Sequence, residues 1–155
     1  MSKAKEERVA IGEIKVESSA AVLAAYGVGS CVVVVLHDME HHIGGLAHCL
    51  LPDDDTDSLK TPRGAVTTTV NKMVAMGAQR GHITAKIIGG SKMFEEFERH
   101  AIGYRNVVQA RAVLAKLNIP IVAEEVFGNW GRSIFFDIQS GEVRVTSFQH
   151  GEKKL

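Results

Sequence analysis

Apolar residues recur along this chain with two different periods, and the changes of period divide it into strands and helices. Val9 to Val16 alternates loosely, and Val22 to Tyr26 is a short apolar run ahead of a glycine-rich turn, so both are predicted strands. Val32 to Leu36 is β-branched and unbroken, as suits a strand buried on both faces. Ile43 to Leu51 is its predicted partner across the polar turn HDMEHH. Pro52 and the acidic run DDDTD end that pairing. The period then becomes helical. Thr61 supplies a cap with Pro62 in the first turn, Val66, Val70, Met73 and Val74 share a face, and Gly77 closes the helix. Ile83 to Ile88 reads as a strand ending at Gly89 and Gly90. Val107, Ala110, Val113, Leu114 and Leu117 mark a second amphipathic helix that stops at Asn118, before Pro120. Ile119 to Val126, Ser133 to Ile138 and Glu142 to Phe148 complete the strands, the last two joined by the turn QSGE. Met93 and Phe94 are predicted core.

Strands outnumber helices and their order is mixed. The pattern therefore predicts an α/β chain of the mixed α+β kind, a single domain of layered mixed β-sheets with a few packed helices, rather than a doubly wound parallel sheet. No internal repeat, low-complexity tract or linker interrupts it. The domain spans residues 9–148, between a flexible N-terminal tail at 1–8 and a short polar C-terminal tail at 149–155.

Composition narrows the function more than the fold. The chain has 155 residues, enough for one core that buries roughly 70% of the surface exposed by the unfolded chain. Lysine plus arginine equals aspartate plus glutamate at 18 each, and 45% hydrophobic with 23% charged residues is the balance of a folded globule. The basic residues are scattered and form no stripe interleaved with aromatics, so a nucleic-acid partner is not expected. The opening MSKAKEER is charged with no apolar stretch behind it, and no run approaches the ~18 apolar residues of a membrane span, so a cytoplasmic protein without membrane insertion is expected. There Cys31 and Cys49 stay reduced.

Chemistry concentrates in YGVGSCVVVVLHDMEHHIGGLAHCLL, residues 26–51. If the hairpin loop is centred between Met39 and Glu40, paired positions sum to 79 and Cys31 lies directly opposite His48. Directly opposed Cβ atoms are about 4.5–5.5 Å apart, within reach of a thiol and an imidazole. A one-residue slip would send His48 to the other side of the sheet. A neighbouring imidazolium can lower a thiol's pKa, and the same ring can protonate a departing amine, which together suit acyl transfer. Gly27 and Gly29 permit close backbone approach, and the amides at Ser30 or Cys31 are candidates for an oxyanion site. Cys49 points to the opposite face and reads as core packing. His37, Asp38, Glu40, His41 and His42 crowd the turn, but their spacing is poor for a structural metal site and a solvated turn fits better. GVGS lacks the pattern of a phosphate-binding loop. No metal and no cofactor are expected.

GVGSCVVVVLHD followed by IGGLAHCLLP, then KIIGGSKMF, IGYRNV, FGNWGRSI and FDIQSGEV, resembles the chemoreceptor glutamine deamidases, the chemotaxis family usually called CheD, over roughly residues 9–148. The resemblance implies a cysteine hydrolase that converts receptor glutamines to glutamate with release of ammonia. It implies a layered fold similar to deamidating toxin domains, with Cys31 as nucleophile and His48 as base. The partners implied are the cytoplasmic helices of methyl-accepting chemoreceptors and a chemotaxis phosphatase of the CheC type. The family pattern often carries a threonine as third catalytic member where this chain has Ala25, which leaves that role to Ser30, to a backbone carbonyl or to no group at all. Alternatives within the same resemblance are a regulatory module with weakened catalysis and a methylesterase acting at the same receptor sites. Gly29, Ser30, Gly89, Gly90 and Ser91 are candidates for the oxyanion site or substrate loop. Arg105, Asn106, Asn129 and Arg132 are weaker candidates for binding substrate, with bracing of neighbouring elements as the other reading. Trp130 is a candidate aromatic anchor for a protein partner.

Overall fold

A computed structural model describes residues 5–52, 58–93 and 101–155. The acidic run at 53–57, the predicted core residue Phe94 and the first four residues of the N-terminal tail lie outside the described residues. Among the described residues, ten strands and two α-helices follow one another as β1 (Lys5–Arg8), β2 (Ile14–Ser18), β3 (Ala21–Val28), β4 (Val32–Asp38), β5 (Ile43–Cys49), α1 (Pro62–Ala75), β6 (Ile83–Gly89), α2 (Ile102–Lys116), β7 (Ile121–Val126), β8 (Arg132–Asp137), β9 (Val143–Ser147) and β10 (Gly151–Lys154). They form two five-stranded sheets, ordered β1-β3-β8-β9-β10 and β2-β5-β4-β6-β7. Each sheet contains one parallel pair, β1 with β3 and β6 with β7. The mixed α+β class read from the pattern is the one observed.

Alternation along β4 sets the layers. Val32, Val34 and Leu36 face one way, into a core completed by Val66, Val70 and Met73 of α1 and Val107 and Leu114 of α2. Cys31, Val33 and Val35 face the other way, against Leu23 of β3, Ile134 and Phe136 of β8 and Val143 of β9. The second sheet is therefore the middle layer, with helices on one face and the first sheet on the other. Every residue from Val32 to Asp38 is buried, which is why β4 shows no polar positions until its end. Thr61 caps α1 as its sequence suggests, its side chain accepting from the Gly64 amide at 3.4 Å.

Both expected tails are corrected. Lys5–Arg8 pair in parallel with Ala21–Ala24 of β3, and Gly151–Lys154 pair antiparallel with Arg144–Ser147 of β9. Leu155 continues that contact through Val143, and its carbonyl accepts from Lys86 Nζ at 2.8 Å. Charged side chains at edge positions leave no hydrophobic signal, so these strands are held by backbone hydrogen bonds that composition does not report. The expected strand from Val9 to Val16 is likewise broken by a turn, with Gly12 at φ +80°, and only its second half joins β2.

Candidate functional site

The β4–β5 hairpin carries both candidate catalytic groups, and its register differs from the expected one. The turn holds four residues, Met39 to His42, so paired positions sum to 81: Val33 opposes His48, and Val32 opposes Cys49. Asp38 explains the difference. Its carboxylate accepts from the amides of His41 (3.1 Å) and Gln79 (2.8 Å), which keeps His37 and Asp38 in the strand and moves the turn one residue along. A shift of two in the sum preserves the face. Cys31 and His48 stay on the side facing the first sheet, as diagonal rather than direct neighbours, a relation that spans about 7–8 Å between backbones.

The ring of His48 is fixed by a group that no side-chain pattern could show. Nδ1 lies 3.0 Å from the carbonyl of Val9, and a carbonyl only accepts, so Nδ1 carries the proton. Val9 is itself held by its amide on the Ala24 carbonyl at 2.7 Å, where β1 runs beside β3. The backbone of His48 is tied to the same segment, donating to Glu13 and accepting from Gly12. Nε2 is left basic, buried and without a hydrogen-bond partner. Burial lowers the pKa of the ring, with the Val9 carbonyl opposing, and burial raises that of the Cys31 thiol, with its own backbone amide opposing. Both shifts run opposite to the direction that the expected thiolate held by an imidazolium requires. Both groups are driven to neutrality, and no hydrogen bond joins them.

The loop before Cys31 is built for close packing. Gly27, at φ +63° in the bulge between Ala25 and Val28, takes a conformation that disfavours any side chain. Met93, expected in the core, is instead 45% exposed and lies over Gly29, where an added Cβ would stand 3.2 Å from its Cγ. Gly29 and Ser30 are half-buried beside Cys31. Gly89, Gly90 and Ser91 are buried behind it, with the Gly90 amide donating to the Cys31 carbonyl and the Ser91 amide to that of Gly29. They brace the loop rather than line an open groove.

Two of the weaker substrate-binding candidates are buried and brace neighbouring elements, the other reading open for them. Arg132 is 2% exposed, its guanidinium spent on Glu125, the Ser91 hydroxyl and the Phe127 carbonyl. Asn106 is fully buried, donating to the carbonyls of Ser30 and Leu50. Only Arg105 and Asn129 of that set are exposed. Trp130 is half-buried between His150 and Arg132, so it packs rather than stands free. A cleft of about 430 Å³ is lined by Gly27, Gly131, Arg132, Ser133 and Phe148 among others. It borders the bulge of β3 but contains neither Cys31 nor His48, so its volume does not define the chemistry.

Cys49 is enclosed in the helix-side core, as its parity requires. Asp38, His41 and His82 bring one donor atom each to within 4.8 Å of one another at the hairpin turn. Their atoms are already engaged, His41 Nδ1 with Asp38 at 2.8 Å and His82 Nδ1 with Glu40 at 2.8 Å, so the group works as a hydrogen-bonded turn.

The chain is similar to known proteins over most of its length. The family model for CheD chemotactic sensory transduction matches residues 50–147, a span that begins beyond both Cys31 and His48. Among curated relatives, the probable chemoreceptor glutamine deamidase CheD of Moorella thermoacetica is 40% identical over 152 residues, covering 92% of this chain and 91% of its own. The probable chemoreceptor glutamine deamidase CheD 2 of Geobacter metallireducens is 40% identical over 156 residues, covering 95% and 96%. The corresponding protein of Pyrococcus horikoshii is 35% identical over 155 residues, covering 96% of each. Among solved structures, Bacillus licheniformis hypothetical protein YfiH superposes with a TM-score of 0.51 at 15% identity. That match covers 81% of this chain and 60% of the other, and the likeness is one of fold. No helix among the described residues is long and apolar enough to cross a membrane.

Proposed function

This chain belongs to the CheD chemotactic sensory transduction family, and on that premise we propose that it hydrolyses glutamine side chains of chemoreceptors to glutamate, with Cys31 as nucleophile and His48 as acid and base. The observation that supports this assignment most is the ring of His48, clamped at Nδ1 by Val9 with Nε2 bare on the face it shares with Cys31. With burial biasing both groups toward their neutral forms, the proton moves as the bond forms. His48 Nε2 takes the thiol proton while sulfur attacks the amide carbon. The imidazolium then gives that proton to the leaving nitrogen, so ammonia departs and a thioester remains. Water, losing a proton to Nε2, attacks the thioester; collapse frees glutamate and returns the proton to sulfur. In this reading the backbone amide of Cys31 donates to the oxygen of the tetrahedral intermediate. No step calls for a cofactor.

The regulatory-module reading rests on Ala25 lacking a hydroxyl. The Val9 carbonyl supplies the orienting contact that Ala25 cannot, which favours the enzyme. The cytoplasm follows from the proposed substrate, and a CheC-type phosphatase belongs to the same proposal as a second partner, to be tested by co-purification. The decisive experiment incubates the protein with receptor fragments and reads ammonia, methanol and glutamine-to-glutamate conversion by mass spectrometry. Ammonia release that falls by about 10²-fold or more in Cys31→Ala and His48→Gln supports the assignment. Methanol without ammonia favours the esterase, and full activity in Cys31→Ala rejects the site.

A further inference from the structure

Beyond Val32 and Cys49 the ladder between β4 and β5 stops, and the next residues on each side flank the two proposed catalytic groups. Ser30 immediately precedes Cys31, and Leu50 comes two residues after His48. Their carbonyls are bridged by one atom. Asn106 Nδ2 donates to Ser30 O at 2.9 Å and to Leu50 O at 3.2 Å. A primary amide has two protons on one nitrogen, so it can tie two acceptors at a fixed separation. A carboxylate of the same shape would present oxygen to both carbonyls and push them apart.

The clamp is itself firmly seated. Asn106 lies in the first turns of α2, and three residues earlier a Cβ on Gly103 would stand 2.6 Å from the backbone carbon of Gly90. Gly90 in turn donates its amide to the Cys31 carbonyl. The start of α2 therefore grips the cysteine from both sides, at Ser30 through Asn106 and at Cys31 through Gly90. Asn106 is fully buried and cannot touch a substrate. Its Oδ1 is also buried and has no hydrogen-bond partner, an arrangement that works against stability.

We infer that Asn106 is a positioning residue, whose side-chain amide sets the separation between the strand end bearing Cys31 and the strand end bearing His48. This rests on the catalytic reading above. It is tested with Asn106→Leu, which keeps the volume and removes both donors, and Asn106→Asp, which keeps the shape and reverses the donors. Asn106→Ser serves if either fails to unfold cooperatively. With receptor fragments, kcat should fall about 10-fold or more while KM stays within about twofold, since misplacement of reacting groups acts on the chemical step.

A second arm needs no substrate: iodoacetamide alkylation of Cys31 is compared in the native chain, His48→Gln, each Asn106 variant and the double variants. His48→Gln should slow alkylation in the native chain and have no further effect when Asn106 is already replaced. An undiminished kcat in a folded Asn106 variant, or an equal effect of His48→Gln in both backgrounds, overturns the inference. Absence of ammonia release by the native protein overturns the deamidase reading instead, and the alkylation cycle then decides the clamp by itself.

Discussion

The carbonyl of Val9, the residue after β1, stands 3.0 Å from Nδ1 of His48 in β5, and this contact fixes the tautomer of the ring. His37 in the same hairpin is held the other way round, with Nε2 2.7 Å from the Ile138 carbonyl. The two rings should be opposite tautomers. Long-range nitrogen–proton correlation at neutral pH is expected to show a protonated Nδ1 and a bare Nε2 in His48, and the reverse in His37. A protonated Nε2 in His48 would remove its role as base toward Cys31.

The two cysteines should separate cleanly by reactivity. Burial raises the Cys31 thiol above its ordinary value of 9.0, and Cys49, sealed in the helix-side core and also repelled by charge on Cys31, is raised much further. Iodoacetamide should modify only Cys31 in the native protein, at a rate that climbs with pH through the ordinary thiol range. Cys49 should react only in denaturant. A rate already at its plateau near about pH 7 would mean that the thiolate exists before substrate arrives.

Much of this site is legible in the sequence because parity is cheap to read. The face shared by Cys31 and His48 depends only on whether the turn has an even number of residues, so placing its centre one residue early changed the partner of His48 but not its side of the sheet. The buried β4 and the cap at Thr61 were legible for a similar reason, each being a local pattern with one physical cause. Val9 was not, because it acts through a carbonyl that every residue possesses. Nor were β1 and β10, whose charged side chains hide strands made by backbone pairing. Asn106 and Arg132 look like surface chemistry in a sequence, and only packing reveals that both are spent inward.

The glycine at 103 should resist substitution more than its helical position suggests. In an exposed helix, Gly→Ala is usually favourable by up to about 1 kcal/mol. Here a Cβ would meet the backbone of Gly90 and the Ser91 carbonyl, groups that cannot rotate away. Gly103→Ala is expected to destabilise the protein by roughly 1–3 kcal/mol, as overpacking does elsewhere. Urea unfolding of the variant measures it; a gain in stability would show that α2 does not press on the loop behind Cys31.

Acid should weaken the fold in two stages with different owners. Burial lowers the pKa of both His37 and His48 below the ordinary 6.5, so below that pH the unfolded chain takes up protons that the native chain refuses. Their contribution is complete above about 6.5 and is lost as pH falls toward the folded values, at up to about 1.4 kcal/mol per pH unit for each ring. Asp38 acts lower. Burial alone would raise its carboxyl, but the amides of Gln79 and His41 and the His41 ring outweigh that and hold it below 3.8. Its contribution therefore survives to about that pH and disappears only as pH falls further, through the folded value. Urea midpoints measured between about pH 8 and 5 should decline below about 6.5, and His37→Gln should flatten the decline by one ring's share. A flat profile across that range would mean that both rings titrate alike in the folded and unfolded chains, and the neutral, buried base assigned to His48 would have to be abandoned.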